Sequence, residues 1–286
     1  MNHRALWYVV SSILILHGCN TKPDTVAVSP DGVNIRFDVR GEGEPTIVFV
    51  HGWSNNRSIW DAQVAHFSQK QKVVTIDLPG FGESDNNRKD WTIVSFGEDV
   101  KCVADKLCLD RVVLVGLSMG GPVVIEAAKL LSDRVAGIVL VDALLDVEMK
   151  LSPEALQHVD SVYMDAVTAP TIEKLKPFFR RNVEASFARA RAMLSGGPRE
   201  GWRESLHETF RWSNEDCIAS LKVMQAPIVS INSDQVPTNV EAFQKYVPSF
   251  KAKIIPDVGH VVFWDAPEEF DRLLEESIRE FMAKSK

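Results

Sequence analysis

Hydrophobic and polar positions alternate along the chain in two distinct rhythms. Short apolar runs recur at Thr46–Val50, Val73–Ile76, Val112–Val115, Ile138–Val141, Ile228–Ile231 and Lys253–Ile255. Runs of this kind, apolar at successive positions, fit strands covered on both faces. Two further strands are predicted near the start, Val26–Val28 and Val33–Phe37. They flank Pro30-Asp31-Gly32, and Asp-Gly is a strong hairpin signal. Between the runs the period changes to that of helices. Ile59, Trp60, Val64 and Phe67 form one stripe, and Val94, Val100, Val103, Ala104 and Leu107 form another. Pro122–Leu131 is a third helix, with proline in its first turn. Asp265-Ala266-Pro267-Glu268 opens the last one with a capping-box pattern. Eight strands alternating with helices predict a doubly wound, mainly parallel eight-stranded α/β sheet.

One stretch departs from this rhythm. Residues 143–226 carry no convincing strand, while Ser152-Pro153-Glu154, Thr171–Leu194 and Pro198–Trp212 read as helical. A segment this long is no ordinary connection. It predicts a helical cap over the carboxyl edge of the sheet, where open α/β folds bind ligands. The core is then residues 25–142 and 227–286. The cap carries Tyr163, Met164, Phe178, Phe179, Phe187, Trp202, Phe210 and Trp212, some to line a pocket and most to pack the cap itself.

Composition narrows the classes. The chain has 286 residues, 45% hydrophobic and 25% charged, with a formal net charge of -7. It is neither disordered nor collagen-like. The acidity and the lack of a long Lys/Arg run argue against nucleic acid as a partner. Residues 171–211 hold nine Lys/Arg against five Asp/Glu, a net of +4. That excess suits either an anionic ligand or a solvated helix face. Four cysteines are too few for a disulfide framework. Cys102 and Cys108, read as sharing one helix, would stand about 9 Å apart along its axis, too far for a bridge. No Cys or His pair has zinc-site spacing, and neither metal nor organic cofactor is implied.

The amino terminus reads as an export signal. Arg4 precedes an apolar run from Ala5 to Leu16, too short to span a bilayer. Leu16-His17-Gly18-Cys19 resembles the lipobox of bacterial lipoproteins, with His17 departing from the usual residue there. The resemblance implies cleavage after residue 18, lipidation of Cys19, a tether over residues 19–24 and a bacterial cell-envelope location anchored to the membrane. Asn20 points to the outer membrane by the same analogy. A simple secretory signal and a retained apolar helix are the alternatives.

Four motifs carry candidate chemistry. Gly116-Leu117-Ser118-Met119-Gly120 sits between a strand and a helix, which is the context that gives G-x-S-x-G its meaning. His51-Gly52-Trp53 follows Thr46–Val50. Asp77-Leu78-Pro79-Gly80-Phe81-Gly82-Glu83-Ser84 follows Val73–Ile76 and specifies a turn. Val258-Gly259-His260 precedes the final helix. Together these resemble the α/β-hydrolase superfamily over nearly all of residues 25–286. The resemblance implies Ser118 as nucleophile, His260 as general base, and an oxyanion hole from the backbone N–H groups of Trp53 and Met119. His51 is expected to brace its loop. The acid has two candidates. Asp234 follows the seventh strand, where the family usually keeps its acid, and is preferred; Asp142, ending the sixth, is the rival.

A serine at this elbow argues for acyl transfer to water. The expected activity is hydrolysis of a small-molecule carboxylic ester or related acyl compound through an acyl-enzyme. A C–C bond hydrolase or acyltransferase on the same triad, and a non-catalytic binding module, are the alternatives.

Overall fold

The computed structural model describes residues 25–194 and 201–284. The signal and Cys19 lie outside the described residues. Eight strands form one sheet: β1 (Val26–Val28), β2 (Asn34–Arg40), β3 (Thr46–Val50), β4 (Val73–Ile76), β5 (Val112–Leu117), β6 (Val135–Val141), β7 (Ile228–Ser233) and β8 (Lys251–Ile255). Their order is β1-β2-β4-β3-β5-β6-β7-β8. β2 pairs antiparallel with both β1 and β4, and the pairs from β4 to β8 are parallel. The first turn needs its glycine: Gly32 has φ +84° and its N–H closes onto the Ser29 carbonyl at 3.0 Å.

Successive residues of a strand face opposite sides, so each strand feeds two cores. Ile47 and Phe49 pack on one face with helices α1 (Asp61–Phe67), α10 (Val262–Asp265) and α11 (Pro267–Lys284). Val48 and Val50 pack on the other with α2 (Ile93–Lys106), α3 (Gly120–Leu131) and α9 (Val240–Gln244). The stripe on α2 differs from expectation. Val94 is exposed, and Ile93 and Phe96 take the buried face with Val100 and Val103. Cys108 lies past the end of α2 at φ +49°, so it shares no helix with Cys102.

Between β6 and β7 the described residues form helices and turns without a strand: α4 (Pro153–Thr168), α5 (Ile172–Leu175), α6 (Val183–Met193), α7 (Trp202–Glu215) and α8 (Cys217–Lys222). Ser152 caps α4, accepting from the Ala155 N–H, with Pro153 at its start. The stretch Thr171–Leu194, expected to be helical, is helical in parts and interrupted between them. Phe179 is extended and Asn182 has φ +48°. Residues 177–182 instead form a strap whose backbone groups bond to the core. The base of the insert is pinned by two indoles. Trp202 donates to the Gly80 carbonyl at 2.8 Å, and Trp212 donates to Glu126 at 2.8 Å.

Candidate active site

The turn between β5 and α3 lifts Ser118 to the carboxyl edge of the sheet. Ser118 has φ +52°, a left-handed conformation that a serine holds only when its surroundings demand it. They do so through glycines. A Cβ on Gly120 would lie 2.6 Å from the Val50 carbonyl oxygen and 2.8 Å from that of His51, and one on Gly116 would strike the Gly120 carbonyl. The Ser118 N–H donates to Val141 O at 3.0 Å, and its carbonyl accepts from Gly121 N–H at 2.8 Å. The amino end of α3 therefore sits directly behind the hydroxyl.

His51 is fully buried and both ring nitrogens are engaged. Nε2 accepts from the Leu78 N–H at 3.0 Å, which leaves Nδ1–H to donate to the Gly52 carbonyl at 2.7 Å. Burial lowers its pKa, so the ring is a neutral brace. Gly52 brings this loop against Ser118, since a Cβ there would lie 3.2 Å from Ser118 Cβ. The main-chain N–H groups of Trp53 and Met119 donate to no described residue. Both residues border the same cavity as Ser118. Asp77 carries the next loop in place. Its buried carboxylate accepts from Arg57 N–H at 2.6 Å and Glu83 N–H at 2.8 Å.

His260 lies on the loop after β8, and its acid partner corrects the sequence reading. Asp142 Oδ2 is 2.6 Å from His260 Nδ1, while Asp142 Oδ1 accepts from Ser233 N–H at 2.8 Å. Asp142 is buried and has φ +43°. That left-handed turn at the end of β6 sends its side chain across the end of β7 toward β8. β7 runs on through Ser233 and carries Asp234 beyond the site. There Asp234 is exposed and pairs with Arg180 at 3.4 Å. Asp142, and not Asp234, touches the imidazole.

Asp265 was expected to cap the last helix. Its carboxylate instead accepts three backbone N–H groups: Gly259 at 2.7 Å, Arg180 at 2.7 Å and Arg181 at 2.8 Å. One buried side chain thus holds the histidine loop and the strap together. Val261 N–H donates to the Phe178 carbonyl at 2.9 Å, and Gly259 leaves no room for a Cβ against the Phe179 backbone. A carboxylate five residues after His260 is visible in the sequence, but two of its three partners, Arg180 and Arg181, lie 85 and 84 residues away.

Two cavities meet at Ser118. One, about 60 Å³, is lined by His260, Phe178, Val167 and Trp264. The other, about 470 Å³, is lined by Met119, Leu144, Leu206 and Phe210. Trp53 and Tyr163 border both. The Tyr163 ring stands edge-on to Trp53 at 5.8 Å and to Phe178 at 5.9 Å, and Phe178 meets the His260 ring at 5.7 Å. Burial, with the Asp142 carboxylate nearby, raises the Tyr163 pKa and keeps its phenol protonated. Among the described residues, no group of three or more His, Cys, Asp or Glu side chains is placed to hold a metal ion.

Residues 47–273 match the model of the alpha/beta hydrolase family. A pimeloyl-[acyl-carrier protein] methyl ester esterase of Nitrosomonas europaea is 26% identical over 259 residues, 83% of this chain and 96% of that protein. A thermophilic esterase from Thermogutta terrifontis superposes with a TM-score of 0.75 at 25% identity, covering 90% of this chain and 97% of the other. An esterase from Exiguobacterium antarcticum gives a TM-score of 0.77 at 19% identity, over 89% and 99% of the two chains, which speaks for the fold alone. With a family match over most of its length and esterases among its relatives, the chain belongs to the alpha/beta hydrolase family of enzymes.

Proposed function

We propose that the protein is a serine hydrolase that cleaves a carboxylic ester or related acyl bond in a small molecule, with Ser118, His260 and Asp142 as its triad. The observation that carries this reading is the 2.6 Å contact of Asp142 with His260 Nδ1, beside a serine held in a left-handed elbow. A carboxylate can only accept, so Nδ1 bears the proton and Nε2 is left as the base. Ser118 Oγ attacks the acyl carbon as Nε2 takes its proton. The oxyanion is stabilised by the N–H groups of Trp53 and Met119, each such donor being worth about 3–4 kcal/mol. The imidazolium then protonates the leaving group, and water, activated by the freed imidazole, releases the acid. The Ser118 hydroxyl makes no hydrogen bond to a described residue. Catalytic hydrogen bonds are often long in free enzymes and tighten with substrate bound.

Labelling with a fluorophosphonate tests the reading. The wild type should be modified on Ser118, and Ser118→Ala should lose both labelling and ester turnover while keeping its thermal transition. Ester turnover near the wild-type level in Ser118→Ala would end it.

We also propose that Cys19 carries a lipid anchor in the bacterial cell envelope. The support is the sequence Leu16-His17-Gly18-Cys19 after a short apolar run. Two acyl chains give stable attachment where one does not. Cys19→Ser should move the protein from the membrane fraction to the soluble exported fraction or leave it as an uncleaved precursor. A wild-type mature protein whose first residue carries no lipid mass would refute the anchor.

A further inference from the structure

The two cavities that meet at Ser118 are unequal in a way that orients a substrate. The smaller, about 60 Å³, is many times tighter than its neighbour. It is walled by Phe178, Val167, Leu175 and Trp264, and His260 is on its lining. The larger, about 470 Å³, is lined by Leu144, Leu145, Leu206 and Phe210 and does not include His260. Its mouth is apolar and open: Met149 is 57% exposed and Val236 52%. Trp53 and Tyr163 form the wall between the two.

Acyl transfer assigns a different half of an ester to each side. The departing alkoxide must receive its proton from His260 Nε2, so the alcohol has to lie within hydrogen-bond reach of the imidazole. The acyl carbonyl must point its oxygen at the Trp53 and Met119 N–H groups. Both of those residues border the larger cavity, and Met119 borders that one alone. We infer that the larger groove holds a long apolar acyl chain and the smaller cavity a small alcohol, so that the preferred substrates are methyl or ethyl esters of medium- to long-chain acids. This rests on the serine-hydrolase reading above. Bond making and breaking are those of ester hydrolysis, with water as the co-reactant: ester plus water gives the acid and the short alcohol.

Two ester series on the wild-type enzyme test it. In methyl esters of acids from two to twelve carbons, kcat/KM should climb with acyl length, by up to about fourfold per buried methylene and at least tenfold from acetate to octanoate. In acetate esters of longer alcohols, kcat/KM should fall at least tenfold between ethyl and hexyl. Phe178→Ala, which enlarges the smaller cavity, should restore at least tenfold of the hexyl acetate rate without improving methyl octanoate. Thr209 lines the larger groove from α7, and Thr209→Trp, which narrows it, should lower methyl octanoate at least tenfold and leave methyl acetate within threefold. A preference for long alcohols over long acids, or no length dependence in either series, would overturn the assignment while fluorophosphonate labelling of Ser118 still upheld the hydrolase. Failure of both labelling and hydrolysis would bring down the two together.

Discussion

A short carboxylate at the end of a strand reaches the neighbouring loop only if its backbone turns the side chain that way. Asp142 does so at φ +43°, and Ser233 N–H and His260 Nδ1 fix its two oxygens. A left-handed aspartate costs about 1–2 kcal/mol, a cost its two bonds and its burial offset. Replacing it with asparagine keeps the volume but puts an amide where a carboxylate was, which disfavours the tautomer with Nδ1 protonated. Asp142→Asn should therefore lower turnover of a short ester by about 10⁴. Asp234→Asn should leave it within a few-fold, since Asp234 is exposed and pairs with Arg180 on the surface. Steady-state kinetics on both variants decide the matter, and equal losses would mean that Asp142 does not serve the imidazole.

At the scale of elements, the strap formed by residues 177–182 is the feature that joins insert to core. Its backbone forgoes helix bonds: Arg180 and Arg181 donate to Asp265, and the Phe178 carbonyl accepts from Val261. Pro177, which has no N–H to lose, stands in the first turn of the short 3₁₀ helix Lys176–Phe178 that leads into the extended residues. The consequence is that Phe178, which walls the smaller cavity, is set by the same contacts that set the His260 loop. Asp265→Asn offers one acceptor oxygen to three donors and turns an NH₂ toward another N–H. Each buried donor left alone costs about 1–3 kcal/mol, so the variant should unfold about 2–4 kcal/mol more easily. Well below its unfolding temperature it should still lose at least tenfold in kcat, with KM shifting as well, because the His260 loop and the Phe178 wall are released together. Urea titration with parallel kinetics measures both, and a stability loss with kcat untouched would reduce Asp265 to a purely structural tie. Asp265→Glu should not rescue activity, as its longer side chain cannot serve all three N–H groups in the space available.

Over the whole molecule, what was legible followed from local rules. The sheet was readable because each core strand is a short apolar run bounded by turn residues, and the elbow because only glycine tolerates the approach of Gly120 to Val50 and His51. The choice between Asp142 and Asp234 was not readable. It depends on how far β7 extends and which way one left-handed residue points, and neither has a local signature. The strap was hidden for the same reason, its hydrogen bonds being made to residues far along the chain. Glu126 is a further case, an acidic residue within the apolar helix α3 with no local sign of its partners. It is buried and accepts from Trp212 Nε1 at 2.8 Å, Ser220 Oγ at 2.6 Å and Lys129 Nζ at 2.7 Å, fastening α7 and α8 onto α3. Glu126→Ala strands two buried donors and should cost about 2–5 kcal/mol. Trp212→Phe removes only the indole N–H and some volume and should cost about 1–3 kcal/mol. The double variant should fall short of the sum by about 1–2 kcal/mol, the coupling expected of residues in direct contact. Turnover of a short ester should remain within a few-fold in all three, because Ser118, Asp142 and His260 stand on loops of the sheet itself. Denaturation midpoints give the cycle, and strict additivity would show that the Trp212–Glu126 bond does not hold the insert to the core.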